Sequence, residues 1–375
     1  MRILTYILLA YWAFALLNII LNLLLIGRPR KAALEREPFV SIVIPARDEE
    51  RDIERTVRAL LVQDYSAFEV IVVDDRSTDS TGAILARIAA EDRRLVVVHG
   101  EEPPAGWLGK PWAMHQGSGR ARGEMLLFVD ADVHYAPGTL LTAVEQIEAS
   151  GVAMLFLYPH FEMRGLWENA VMPAVPLTPF MFPLWLGERF PLPFLGLGGG
   201  TGNLIRRGEY DAVGGHEALC DAVVDDVGLA QHVRRNGHRT GVIRADRLVS
   251  VRMYHGLDEI VRGFTKNAFT AIGRSYLITA TFVVILFVGH LLPFILPLVA
   301  VVALIIAARL IFFAAMRYPL WSAVLLHPLL AMIWIWIVIR SAWITGVRGE
   351  LAWRGRTYDA ARTRFGAERD TRSSP

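Results

Sequence analysis

Three acidic pairs stand where apolar runs end or helical ones begin. Asp130 and Asp132 close EMLLFVDAD, Asp74 and Asp75 close FEVIVVDD, and Asp225 and Asp226 open DDVGLAQHVRRNGHR. Two carboxylates one residue apart are hard oxygen ligands that suit Mg²⁺ or Mn²⁺, with a diphosphate completing the shell. A carboxylate at Asp75 can accept from a nucleobase imide or a ribose hydroxyl. Asp226 is the candidate general base, able to take a proton from an attacking hydroxyl. Lys110, in the Gly-rich GWLGKPWA, offers a point charge to a diphosphate. Each residue also has a plainer reading. Asp-x-Asp is common in solvated turns. Ser77, Thr78 and Asp79 can cap a helix, and Asp79 is assigned to that task. Two acids at a helix start stabilise its dipole. A single lysine is commonly just solvated.

The rest of the polar inventory excludes other chemistries. Gly198 to Asn203 (GGGTGN) lets backbone approach a ligand closely, but it lacks the Rossmann spacing and reads as part of an acceptor pocket. His115, His134, His160, His216, His232, His238 and His255 show no metal-ligand spacing and read as surface or core residues. No G-x-S-x-G elbow supports serine hydrolysis. A single cysteine, Cys220, rules out an internal disulfide framework and a Cys-based zinc site, and suits a reducing compartment. A net charge of +2 gives no field for nucleic acid.

Strands must carry these acids. FVSIVIPA, FEVIVVDD, LVVVHG and EMLLFVDAD are short, buried, β-branched runs. Helical spacing separates them: Ile53, Val57, Leu60 and Leu61 lie within 48–63, and a further helix is expected from Thr78 to Ala90. Alternating strands and helices imply an α/β domain with a mostly parallel sheet over 38–252, its ligands at the carboxyl ends of the strands.

The ends are different. The hydrophobic fraction of 53% is concentrated there. Ile3 to Ile26 is uncharged, long enough for a helix across a core of about 30 Å. No small-x-small cleavage site follows it, so residues 1–27 read as an uncleaved anchor. Arg28, Arg30 and Lys31 follow the run and only Arg2 precedes it, which places the next domain in the cytosol at the inner membrane. Residues 253–274 read as an amphipathic helix with Leu257, Ile260, Val261, Phe264 and Ala268 on one face, either interfacial or packed on the catalytic domain. Residues 275–345 hold three apolar segments, the last from Tyr318 to Ile339, with Arg309 needing to snorkel or pair. Three crossings would put the 346–375 tail outside. Arg340, Arg348, Arg354, Arg356, Arg362 and Arg364 argue for the cytosol. One segment is re-entrant, or the charge bias fails. Six prolines in 171–196 exclude a regular spanning helix there. That stretch is either a core loop or a surface resting on the bilayer that admits a lipid.

Taken in order, SIVIPARDEE, VIVVDDRSTDST, GWLGKPWA, LLFVDADV and GGTGN…VVDDVGLA resemble glycosyltransferase family 2 over roughly Val40 to Lys266. The resemblance implies the GT-A fold, anomeric inversion and a nucleotide-diphospho-sugar donor. It implies Pro45, Asp74, Asp75, Lys110 and Asp130 at the nucleotide-sugar, Asp130 and Asp132 at Mg²⁺ or Mn²⁺, and Asp226 as base. Gly200, Thr201, Asp225, Arg262 and Phe264 fall to the acceptor or to gating. The family usually reads Glu-Asp where this chain has Asp225-Asp226. Processive members carry Q-x-x-R-W; here Glu259, Arg262 and Phe264 stand in DEIVRGFTKN, with Gln and Trp replaced. The anchor, the short C-terminal membrane region and Trp353-Arg354-Gly355-Arg356 resemble membrane enzymes of carotenoid, hopene-associated or ceramide type. The expected reaction moves one sugar, glucose, from a UDP-sugar to a lipid hydroxyl. A polysaccharide synthase or polyprenyl-phosphate glycosyltransferase is the first alternative. A non-catalytic membrane scaffold is the second.

Overall fold

The computed structural model describes residues 1–29, 33–347, 350–353, 356–359 and 363–364. Arg30, Lys31, Arg348, Arg354, Gly355 and Arg362, with most of the basic tail, lie outside the described residues. The chain forms two compact units. One comprises Met1–Ile26, Phe161–Trp185 and Met253–Thr363; the other comprises Gly27–His160, Leu186–Arg252 and the chain from Arg364.

The second unit is the α/β domain. Its seven-stranded sheet has β1 (Val40–Ala46), β2 (Phe68–Asp74), β3 (Leu95–His99) and β4 (Met125–Phe128) in the order β3-β2-β1-β4. These four pair in parallel. Asn203–Arg206 then pairs antiparallel with both β4 and Met154–Tyr158, and Thr240–Arg244 closes the far edge in parallel. Strands β1 and β2 bury nearly every side chain, as unbroken Val/Ile runs under helices on both faces require. Val43, Leu126, Phe128, Met154, Ile205 and Leu229 belong to its core. The helices begin later than the periodicity predicts, at Ile53 and Thr81. The residues ahead of them interlock instead. Asp48 Oδ1 accepts from Thr78 N, Asp79 Oδ1 from Thr81 N, and Asp79 Oδ2 from Glu50 N.

The first unit is helical. Four of its helices are long and apolar enough to cross a membrane: Arg2–Leu25, Tyr276–Ile295, Val299–Met316 and His327–Val347. The last begins nine residues later than Tyr318, because Leu320–Leu325 forms a separate short helix before Pro328. Arg309 neither snorkels nor finds an acid. It is fully buried and donates to the carbonyls of Ala323 and Ser322. The direction of the last helix follows from its neighbours. The His327 ring stacks 5.3 Å from His290, near the end of the second helix, whereas Gly346 lies against Tyr276, at its start. The second and fourth helices therefore run antiparallel. The third follows the second after the short connection 296–298, so it runs with the fourth. Residues 317–326 carry the chain back, and the stretch from Leu320 to Val347 enters and leaves at the same end.

The amphipathic helix is Gly256–Ala271, and its predicted face is the packed one. Ile260 and Val261 bury against Val171, Leu326 and Ile337, with Leu257, Phe264 and Ala268 beside them. Its Phe269 N donates to Ser341 Oγ. Within its own unit it packs on the apolar helices. The Pro-rich stretch divides. Val171, Met172 and Phe180 are core of the helical unit, where Asn22 donates to the carbonyls of Phe180 and Phe182. From Leu186 onward the chain belongs to the sheet unit, where buried Arg234 donates to the carbonyls of Gly187 and Phe190.

Candidate active site

The carboxyl ends of the central strands deliver the acids. β4 ends at Phe128, and the turn after it presents Asp130 and Asp132. Asp130 N donates to Gly200 O at 2.6 Å, which binds this turn to the GGGTGN segment. A Cβ on Gly200 would overlap the Asp130 carboxylate, and one on Gly198 would overlap the Asp226 carbonyl. The glycines are thus required by close approach to the acids. Thr201 is buried, its Oγ1 donating to Leu157 O and its carbonyl accepting from Tyr135. It shapes the segment from below.

Lys110 joins the acids electrostatically. Its Nζ lies 2.9 Å from Asp130 Oδ1 and 3.5 Å from Asp225 Oδ1. The side chain keeps 22% of its surface exposed. Burial alone would push its ammonium down. The charges of Asp130, Asp225 and Asp226 overcome that and hold it well above the usual lysine range.

The two acids of the last pair differ in kind. Asp225 is buried and opens the helix Asp225–Arg235. Burial pushes it up, but Lys110 and His216 outweigh burial and bring it to about 2. Asp226 beside it is pushed up to about 6, first by burial and then, against the pull of Lys110, by the charges of Asp225 and Asp130. One is a fixed anion; the other is poised to exchange a proton. Asp225, expected at the acceptor or in gating, lies 3.5 Å from Lys110 Nζ.

His216 is the residue that sequence reasoning passed over. Its Nε2 lies 3.7 Å from Asp225 Oδ2, and its Nδ1 is 2.8 Å from Tyr210 Oη, which also bonds Ser118 Oγ. Burial pushes its ring below the usual histidine range, against the pull of Asp225. Nothing in its spacing signals this, since its partner lies nine positions away across a turn.

Asp132 is pushed up to about 7, by burial and then by the charges of Asp130 and Glu49. Such a position favours a cation. Among the described residues no three His, Cys, Asp or Glu side chains are grouped to enclose a metal. A hard divalent ion held by Asp130 and Asp132 would take its other ligands from a diphosphate and water, which these oxygens fit.

Asp74 ends β2 opposite Ala46 of the neighbouring β1, Asp75 follows it, and Pro45 sits one position back, opposite Val73. Asp75 N donates to Ala46 O, and Arg47 Nη1 donates to Asp75 O. Asp74 Oδ1 accepts from Ser77 N, so this carboxylate shapes its own turn and leaves Asp75 as the candidate for the nucleotide. Arg262 and Phe264 belong to the helical unit. Phe264 packs on Tyr254 and Trp334, and Arg262 donates to Asp258 O.

Residues 41–208 match the family described as Glycosyl transferase family 2. The chain carries a family 2 glycosyltransferase domain. This glycosyltransferase is 26% identical to the 4,4'-diaponeurosporenoate glycosyltransferase of Staphylococcus aureus (strain USA300), over 86% of this chain and 89% of that one. It is 30% identical to the Beta-monoglucosyldiacylglycerol synthase of Trichormus variabilis, over 54% of this chain and 43% of that one. A mannosyltransferase from Pyrobaculum calidifontis, solved in complex with GDP-Man and Mn2+, shares the GT-A fold with a TM-score of 0.54 at 20% identity, over 92% of this chain and 98% of that one. In the family 2 domain the matched segment holds Asp75, Lys110, Asp130 and Asp132; Asp225 and Asp226 follow it.

Proposed function

We propose that this glycosyltransferase moves a single sugar from a UDP-sugar to the hydroxyl of a membrane lipid, with inversion at the anomeric carbon. Asp226 carries the reading: a carboxylate tuned to about 6 beside Lys110 and Asp130 suits a base that deprotonates a neutral hydroxyl. The hydroxyl oxygen attacks the anomeric carbon, its proton passes to Asp226, and the bond to the diphosphate breaks on the opposite face. Lys110 takes up negative charge growing on that leaving group. Asp130 and Asp132 would hold Mg²⁺ or Mn²⁺, which supplies further charge neutralisation there. Asp75 orients the nucleotide.

The lipid acceptor is supported by the names of two relatives, a 4,4'-diaponeurosporenoate glycosyltransferase and a Beta-monoglucosyldiacylglycerol synthase, and by four helices fit to span a bilayer. Glucose is the expected sugar on the second name. Residues 1–27 serve as anchor, 38–252 as the catalytic domain and 275–345 as the C-terminal membrane segments. Arg28, Arg30 and Lys31 after the first helix favour a cytosolic catalytic domain at the inner membrane. Purified protein incubated with labelled UDP-sugars, Mn²⁺ and lipid extract tests this by mass spectrometry. A lipid heavier by one hexose supports it; a polymer, or no product from any donor, contradicts it.

A further inference from the structure

Arg364 stands beyond the last apolar helix, more than a hundred residues after Asp226, and yet it is built into the segment that leads to Asp226. Its guanidinium Nε pairs with the Asp221 carboxylate, and its Nη2 donates to Ala218 O at 2.8 Å. Its backbone adds a one-residue parallel bridge. Arg364 N donates to Asp221 O at 3.0 Å, and Val223 N donates to Arg364 O at 2.8 Å. The chain between His216 and Asp225 is thus held by four bonds from one distant residue.

That segment touches both halves of the site. Cys220 O, next to Asp221, accepts from Leu108 N at 2.7 Å, and Leu108 lies two residues before Lys110. Val224 follows Val223 and caps the helix that starts with Asp225 and Asp226. The short turn Glu217–Leu219 between His216 and Asp221 has little regular structure of its own to fix the spacing. Only Leu219 and Ala222 anchor it in the core.

We propose that Arg364 is a positioning residue for transfer: it acts in cis as a strap that fixes the 218–223 segment and, through it, the separation of Lys110 from Asp226. The proposal rests on the transfer reaction above. A base displaced by about 1 Å loses on the order of a hundredfold in rate. Donor contacts at Asp75 and the Asp130–Asp132 turn do not pass through this segment. Loss of the strap therefore falls on kcat more than on the donor KM.

The test compares Arg364→Ala, Arg364→Lys and the charge-exchanged pair Arg364→Asp with Asp221→Arg in the full-length protein in lipid nanodiscs. Arg364→Ala is expected to lower kcat at least tenfold, with the donor KM within threefold and the melting temperature near that of the parent protein. Arg364→Lys and the exchanged pair are expected to recover part of kcat. Hydrogen exchange supplies a readout that does not depend on activity. In Arg364→Ala the amides of both Val223 and Leu108 are expected to exchange at least tenfold faster. Faster exchange at Val223 alone, or a kcat within twofold of the parent, would overturn the strap. A parent protein that transfers no sugar would sink the transfer reading, while the exchange at Leu108 would still decide whether the strap reaches the lysine loop.

Discussion

Lys110 Nζ lies 2.9 Å from Asp130 Oδ1, so the lysine loop and the turn after β4 meet as an ion pair at the centre of the site. The pair explains how Asp130, Asp225 and Asp226 lie so close together: Lys110 offsets their repulsion. Lys110→Met should lower kcat/KM for the donor by about a hundredfold or more, the scale of losing one preorganised transition-state charge. Lys110→Arg should not restore it, because the planar fork cannot occupy the ammonium's place between Asp130 and Asp225. Steady-state kinetics over donor concentration check both.

Asp226 dictates an acid limb. Its carboxyl is raised to about 6, so below that pH it is protonated and cannot accept the acceptor's proton. With saturating Mn²⁺ holding Asp132 ionised, the rate should fall about tenfold per pH unit below about 6 and level off above it. Asp225, lowered to about 2, stays ionised throughout this window and adds no second limb. A pH profile of kcat/KM measures this, and the limb should vanish in a variant whose residual activity is base-independent.

Gly200 offers a steric test with an internal control. An added Cβ there overlaps the Asp130 carboxylate, whereas one on Gly208 meets nothing within 4 Å. Gly200→Ala should cost roughly 1–3 kcal/mol in stability by overpacking and should reduce transfer at least tenfold. Gly208→Ala, inside the Arg207–Ala212 helix, should be neutral or stabilising by up to about 1 kcal/mol. Thermal melts and activity of the two variants give the comparison.

Membrane topology follows from the direction of the helices. Leu320 to Val347 enters and leaves at one end of the helical unit, and Arg364 is bonded into the sheet unit. With these helices crossing the bilayer as proposed above, an even number of crossings separates Arg252 from Arg364. A reporter fused after Pro375 should lie on the same side of the membrane as the catalytic domain, and one before Met1 on the opposite side. Protease protection of inverted vesicles reads this out, and a C-terminal reporter opposite the catalytic domain would contradict it.

The strands and the donor-side acids were legible in the sequence because each acid ends a buried run. Val/Ile repeats and a following Asp are a local signal, and Asp74, Asp75, Asp130 and Asp132 all fall at such ends. What was not legible depends on contacts far along the chain. His216 meets Asp225 only after the Glu217–Leu219 turn, and Arg364 reaches Asp221 from beyond three apolar helices. Asp225 and Asp226 look alike in sequence. They separate because Lys110 and His216 hold the first down, while burial and the charges of Asp225 and Asp130 raise the second. The parity of the apolar segments was undecidable from hydropathy, since Leu320–Leu325 is as apolar as the helices around it. In the fold that segment is a separate short helix whose Ser322 and Ala323 carbonyls accept from Arg309.

The central claim is that Asp226 is the base of a sugar transfer carried out by Lys110, Asp130 and Asp132. The most direct measurement is sugar transfer by Asp226→Asn to a lipid acceptor, alongside calorimetric titration of the same variant with UDP and Mn²⁺. The account predicts transfer reduced by a factor of about 10²–10⁴, the range of general-base catalysis, with UDP and Mn²⁺ binding within a few-fold of the parent protein. Asp226→Asn transferring sugar at close to the parent rate would contradict it.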